Sequence, residues 1–171
     1  MTWRPASALR AAALAGSALL AVPASADPLE ALAACIDAAQ RAEDMRACIG
    51  AASNACIEAG GASSRNVIGC FEEEADAWDA RLNEGWERLK TRTRAADEAS
   101  PPEDPEDRLW ETLLAAQRAW LAFRDAECAS AIAGMGGTGR SESESQCRLR
   151  MTAERVVALR FVHDSHIESY R

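Results

Sequence analysis

Six cysteines, Cys35, Cys48, Cys56, Cys70, Cys128 and Cys147, constrain this chain more than any other feature. An even count in a chain that leaves the reducing cytosol reads as a disulfide framework, and six cysteines allow 15 pairings. Spacing narrows the choice. Ala34-Cys35-Ile36-Asp37-Ala38 and Ala55-Cys56-Ile57-Glu58-Ala59 form a local repeat, each followed by a further cysteine 13 or 14 residues on. Cys128 and Cys147 flank a third short stretch. The spacing therefore predicts sequential pairing: Cys35–Cys48, Cys56–Cys70 and Cys128–Cys147. A zinc site is the competing reading, but no C-x-x-C occurs and both histidines are distant in sequence.

Export is the expected route. Arg4 and Arg10 form a basic start, Ala11 to Val22 is an apolar run of 12 residues, and Ala24-Ser25-Ala26 is an A-x-A cleavage signal. The run falls short of the ~20 residues that span a bilayer, so residues 1–26 read as a signal peptide. No cysteine stands at the cleavage site to take a lipid. Residues 27–171 are the expected single domain, periplasmic or secreted, with no membrane insertion after cleavage. Without Arg4 and Arg10 they hold 17 basic and 27 acidic residues, a net charge of -10. That balance disfavours nucleic acid and anionic membranes and suits a basic partner.

The remaining pattern is helical throughout. Asp27-Pro28 is an N-cap followed by Pro at N1, opening a short helix over 28–40. A second helix is expected over 43–58, stopped by Gly60-Gly61. A third, over 65–96, carries Phe71, Ala75, Trp78, Leu82, Gly85 and Leu89 in steps of 4, 3, 4, 3 and 4, broadened by Trp86. Ser100-Pro101-Pro102 ends it. Asp104-Pro105 repeats the opening signal for a fourth helix over 105–132, with Leu109, Leu113, Ala116, Trp120 and Phe123 as its stripe. Ser141 with Glu144 suggests a capping box for a last helix over 143–168, where Leu149, Thr152, Val156, Leu159 and His163 share one side. No segment alternates as a strand would. The fold class expected is all-α: a small disulfide-clipped bundle of antiparallel long helices, with a short N-terminal helical pair.

Few residue groups carry a chemical signature. Gly134, Gly136 and Gly139 match G-x-G-x-x-G literally, but no strand precedes them, so a flexible loop is expected. His163 and His166, with Asp164 or Glu168, have metal-ligand spacing yet fit a solvated helix end better. Glu72-Glu73-Glu74 with Asp76 and Asp79 could supply paired carboxylates for glycoside chemistry. A solvated face near a helix N-terminus explains them more simply. Neither G-x-S-x-G nor a Walker A pattern is present, and every cysteine is expected to be engaged. No catalytic residue, cofactor or metal is expected, and the chain reads as a non-enzyme.

The run Ala116-Gln117-Arg118-Ala119-Trp120-Leu121-Ala122-Phe123-Arg124-Asp125-Ala126-Glu127-Cys128 adds a different kind of information. It resembles the signature of the LprI-like lysozyme inhibitor family, N-terminal domain, which reads roughly A-Q-R-A-W-hydrophobic-x-F-R-D-x-E-C. The resemblance extends to Cys70 ahead of Leu82-Asn83, to Cys147 after a variable stretch, and to Arg155 in the last helix, covering 56–160. It implies a small exported helical protein, and the family's name implies inhibition of lysozyme. The segment 28–55, with its own cysteine pair, is an addition to that pattern.

The resemblance carries no catalytic residue, so Gln117, Arg118, Trp120, Phe123, Arg124, Asp125 and Glu127 read as scaffold. Trp120 and Phe123 are expected to pack, and Arg124 to pair with Asp125. A basic lysozyme is the partner implied; a structural or adaptor module of the bacterial envelope is the alternative. The stretch Gly134 to Gln146, fastened by Cys128 and Cys147, is the expected contact loop. Arg140 would meet cleft carboxylates, and Glu142 and Glu144 would meet a basic rim.

Overall fold

The computed structural model describes residues 27–163 of the 171. The expected signal peptide, and Asp164, His166 and Glu168, lie outside them. Six helices follow in order: α1 (Pro28–Ala38), α2 (Ala42–Arg46), α3 (Ala51–Gly60), α4 (Ser64–Ala99), α5 (Leu109–Ala131) and α6 (Gly137–Ala158). No strand occurs among the described residues. The protein is all-α, as expected.

The disulfides join sequential cysteines, Cys35–Cys48, Cys56–Cys70 and Cys128–Cys147. Each ties helices or turns that are already neighbours along the chain. Closing loops of this length contributes about 3 kcal/mol each in the chain-entropy picture.

Local signals set most boundaries. The Asp27 side chain accepts from the Leu29 amide at 3.0 Å, with Pro28 next to it, and Leu32 and Ile36 then bury one face of α1. α4 is 36 residues, hence about 54 Å long, and stops just before Ser100-Pro101-Pro102. α5 runs back against α4 and α6, while α4 and α6 run in the same direction, joined at their starts by the 3.2 Å bond from Ser64 to Thr138. One core gathers residues of all six helices, among them Leu32, Met45, Ala52, Trp78, Leu113 and Leu149.

Three expected boundaries are corrected. The single helix expected over 43–58 is two, because Gly50 adopts φ +87° and turns the chain between α2 and α3. The cap at Asp104-Pro105 opens only a 3₁₀ turn, Pro105–Asp107. α5 starts four residues later than expected, where the Asp97 carboxylate of α4 accepts from the amides of Leu109 and Trp110 at 2.8 and 3.0 Å. α6 begins at Gly137 rather than 143, and the Ser141–Glu144 capping box does not form; Gly136 precedes the helix with no side-chain cap. At its other end α6 passes into a π-helical turn at Leu159, and Arg160 donates from there to the carbonyls of Ile36 and Ala39 at 3.0 Å each. These bonds satisfy the C-terminal end of α1 with a cation.

Candidate functional site

The run 116–128 lies on α5 and has two faces of different chemistry. Its inner face is stitched to α6. Buried Gln117 accepts from Arg155 Nε at 2.8 Å. Two guanidinium groups stand over the Trp120 ring, Arg124 at 5.2 Å and Arg155 at 5.5 Å from its centroid. Such contacts contribute ~0.5–1 kcal/mol each when exposed and more when desolvated. Burial lowers the pKa of Arg155 from the usual arginine value. Its Nη2 is buried without a hydrogen-bond partner among the described residues, which leaves Gln117 and the Trp120 ring as the contacts seen for this charge. Arg124 Nε donates to Asp125 Oδ1 at 3.2 Å, the local pair expected. Arg148 of α6 stands 3.9 Å from Asp125 and 3.6 Å from Glu144. The Cys128–Cys147 bridge closes the seam.

The buried stripe of α5 therefore differs from the expected one. It runs Leu113, Gln117, Trp120, Arg124 and Cys128, the last fully buried and Trp120 and Arg124 half-buried. Ala116 and Phe123 are exposed, Phe123 by 57%. Leu113 and Trp120 face inward as expected, but Gln117 and Arg124 take the places of Ala116 and Phe123, on the side where Arg155 bonds Gln117 and Cys128 is bridged. Phe123 thus does not pack into the core.

The outer face carries the rest of the run. Thr112, Ala115, Ala119, Ala122 and Ala126 follow one another in steps of 3 and 4, all exposed, with Phe123 beside them. This strip carries no charge. Arg118 and Glu127 flank it, both exposed. The strip is an uncharged stretch of mostly alanine on the outer side of the helix, with exposed Phe123 at its edge.

The expected contact loop is also corrected. Between α5 and α6 the connection is only Ile132–Gly136, turned by Gly134 at φ +78°. Arg140, Glu142 and Glu144 belong to the first turns of α6. Arg140 donates to the Ile132 carbonyl at 3.2 Å, tying the turn down instead of projecting from it. Glu142 and Glu144 are half-buried, and Glu144 faces Arg148. The glycine match G-x-G-x-x-G follows a helix, without the strand that a dinucleotide site needs.

The carboxylate run at 72–79 splits. Glu72, Glu73 and Asp76 are exposed, whereas Glu74 is 0% exposed. Its Oε1 accepts from the Gly50 amide at 2.7 Å and from Trp78 Nε1 at 3.0 Å; its Oε2 accepts from the Ser53 amide at 2.7 Å. Glu74 caps α3 from another helix, so the solvated reading is wrong for this residue. Its register was the available signal: it stands three residues after Phe71 and four before Trp78, on the apolar stripe. Among the described residues no cluster of three metal-ligating side chains occurs, and no helix is long and apolar enough to cross a membrane.

Residues 56–159 match the family described as Lysozyme inhibitor LprI. The chain belongs to this family. Within the LprI match lie α4, α5, α6 and two of the three disulfides; α1, α2 and the Cys35–Cys48 bridge precede it. No curated protein and no solved structure matches the chain.

Proposed function

We propose that this protein is an exported, non-enzymatic inhibitor that binds a basic lysozyme. The match of residues 56–159 to the LprI family carries the reading. Two features support it. The chain has a formal net charge of -8, and opposite charge speeds encounter with a strongly basic enzyme. Three disulfides suit an oxidising compartment, periplasmic or secreted, reached through the leader at 1–26.

The contact surface proposed is the outer face of α5. Phe123 acts as the apolar anchor, and Glu127, one turn along the helix, meets a basic group on the enzyme. A few side chains near the centre of an interface, often aromatic, carry most of its binding energy. Arg140 donates to the Ile132 carbonyl from the first turn of α6, and the α5 face is proposed in place of a surface centred on it.

The test is a cell-wall lysis assay with a basic lysozyme, titrated with purified disulfide-bonded protein at several salt concentrations. Inhibition that weakens steeply with salt is expected, lost in Phe123→Asp and retained in Arg140→Glu. Absence of inhibition at micromolar protein overturns the reading and leaves the envelope adaptor as its replacement. Inhibition unaffected by Phe123→Asp overturns the α5 contact surface alone.

A further inference from the structure

An open groove of about 720 Å³ lies between the start of α1, the length of α3 and the first turns of α4. Its apolar wall is accessible: Leu29 is 36% exposed, Ala59 is exposed, and Pro28 and Cys56 are half-buried. The polar groups that share it are acceptors. Glu73 is exposed and has no hydrogen bond or ion pair among the described residues. Asp27, by contrast, already caps the Leu29 amide. Asn66 is held through its Nδ2, which donates to the Gly61 carbonyl at 2.7 Å, while its Oδ1 receives no donor among the described residues. Ala59 and Gly60 end α3 on this groove, and the last carbonyls of a helix carry a negative partial charge that no further turn pairs. No lysine or arginine lines it.

Gly60 fixes the place of one acceptor. A Cβ at that position would stand 2.6 Å from Asn66 Oδ1, so a larger residue must displace the Asn66 side chain. Packing therefore sets Asn66 against the end of α3 before any ligand arrives.

We infer that this groove binds a cationic amphipathic peptide segment, an apolar side chain lying along Leu29 and Ala59 and a neighbouring lysine or arginine meeting Glu73 and Asn66. Acceptors without a cation among them select a donor, and the free carboxylate selects one that carries positive charge. An apolar wall with a few convergent polar groups is the ordinary make-up of a binding site. The groove is open, so its occupant is part of a larger chain and not an engulfed small molecule. The formal charge of -8 attracts a partner of the same sign at long range. Asp27, Pro28, Leu29 and Ala52 precede the family match, so the groove is made jointly by the N-terminal addition and the family region, and it is independent of the lysozyme reading.

Isothermal titration of the disulfide-bonded protein with a blocked amphipathic peptide of leucine and lysine tests the inference. Saturable one-to-one binding is expected. Peptides with glutamate for lysine, or serine for leucine, should bind at least tenfold more weakly. Glu73→Lys should weaken binding at least tenfold. Glu106→Lys, the same charge change on the connection between α4 and α5, should weaken it less than threefold. Ala59→Trp should fill the groove and abolish binding with the melting temperature unchanged, whereas Phe123→Asp should leave binding intact. No saturable binding, equal losses in Glu73→Lys and Glu106→Lys, or undiminished binding by a folded Ala59→Trp overturns the inference. Loss of binding in Phe123→Asp moves the contact to α5 and overturns it too. Should Ala59→Trp fail to fold, the comparison of Glu73→Lys with Glu106→Lys decides alone.

Discussion

The carboxylate of Glu74 accepts the indole N–H of Trp78 at 3.0 Å, one helical turn along α4, with both residues 0% exposed. The same carboxylate receives the amides of Gly50 and Ser53 at the start of α3. One acidic side chain thus joins the longest helix to the N-terminal segment. Anions are favoured at helix N-termini because unpaired amides and the helix dipole converge there. The turn at Gly50 brings those amides within reach.

Glu74→Ala is expected to cost about 3 kcal/mol, because three donors, two of them buried, lose their acceptor at ~1–3 kcal/mol for each that stays unsatisfied. Glu74→Gln, which sets an amide N–H against donors, should cost about 1–3 kcal/mol. Glu72→Gln and Glu73→Gln should stay within ~0.5 kcal/mol, as exposed substitutions do. Urea unfolding followed by circular dichroism measures all four. Equal effects at 72, 73 and 74 would contradict the cap.

Trp120→Ala is expected to lose about 2–3 kcal/mol, less than the ~3–5 kcal/mol of a fully buried aromatic, because the ring is half-buried. Arg155→Ala should destabilise as well, by exposing one ring face and leaving Gln117 without its donor. The two losses should be non-additive, since both residues share the same contact. A double-mutant cycle by thermal unfolding reads the coupling.

Phe123→Asp should leave stability within ~0.5 kcal/mol, since the ring is exposed by 57% and packs on no core residue. Its melting curve should overlay that of the unaltered protein. A large fall in melting temperature would show the ring to be structural and would remove it as a contact anchor.

Replacing Cys35 and Cys48 by serine should cost about 3 kcal/mol, with the damage confined to α1 and α2. α4, α5 and α6 retain the other two bridges and most of the core. Limited proteolysis with mass spectrometry should find the first cuts in residues 27–50, ahead of any in α4. Simultaneous loss of all helices would mean that the N-terminal segment folds only as one unit with the rest.

The sequence by itself determined what short-range chemistry controls. Asp27-Pro28 and Ser100-Pro101-Pro102 bounded helices because capping and proline geometry act within a few residues. The bridges join cysteines 13, 14 and 19 residues apart, near enough for spacing to indicate the partners. The stripe of α4 was legible because its apolar residues occupy one face only. α5 was not, since alanines surround it, and an apolar pattern on every side cannot specify which side is buried. Tertiary structure chose the face through Gln117–Arg155 and Cys128–Cys147, contacts spanning 38 and 19 residues. It also buried Glu74, supplied Asp97 as the cap of α5, and tied Arg140 to Ile132. In each case a polar side chain met backbone groups on another element or turn. No local pattern announces such a partner, because the unpaired groups exist only once the helices have ended and packed.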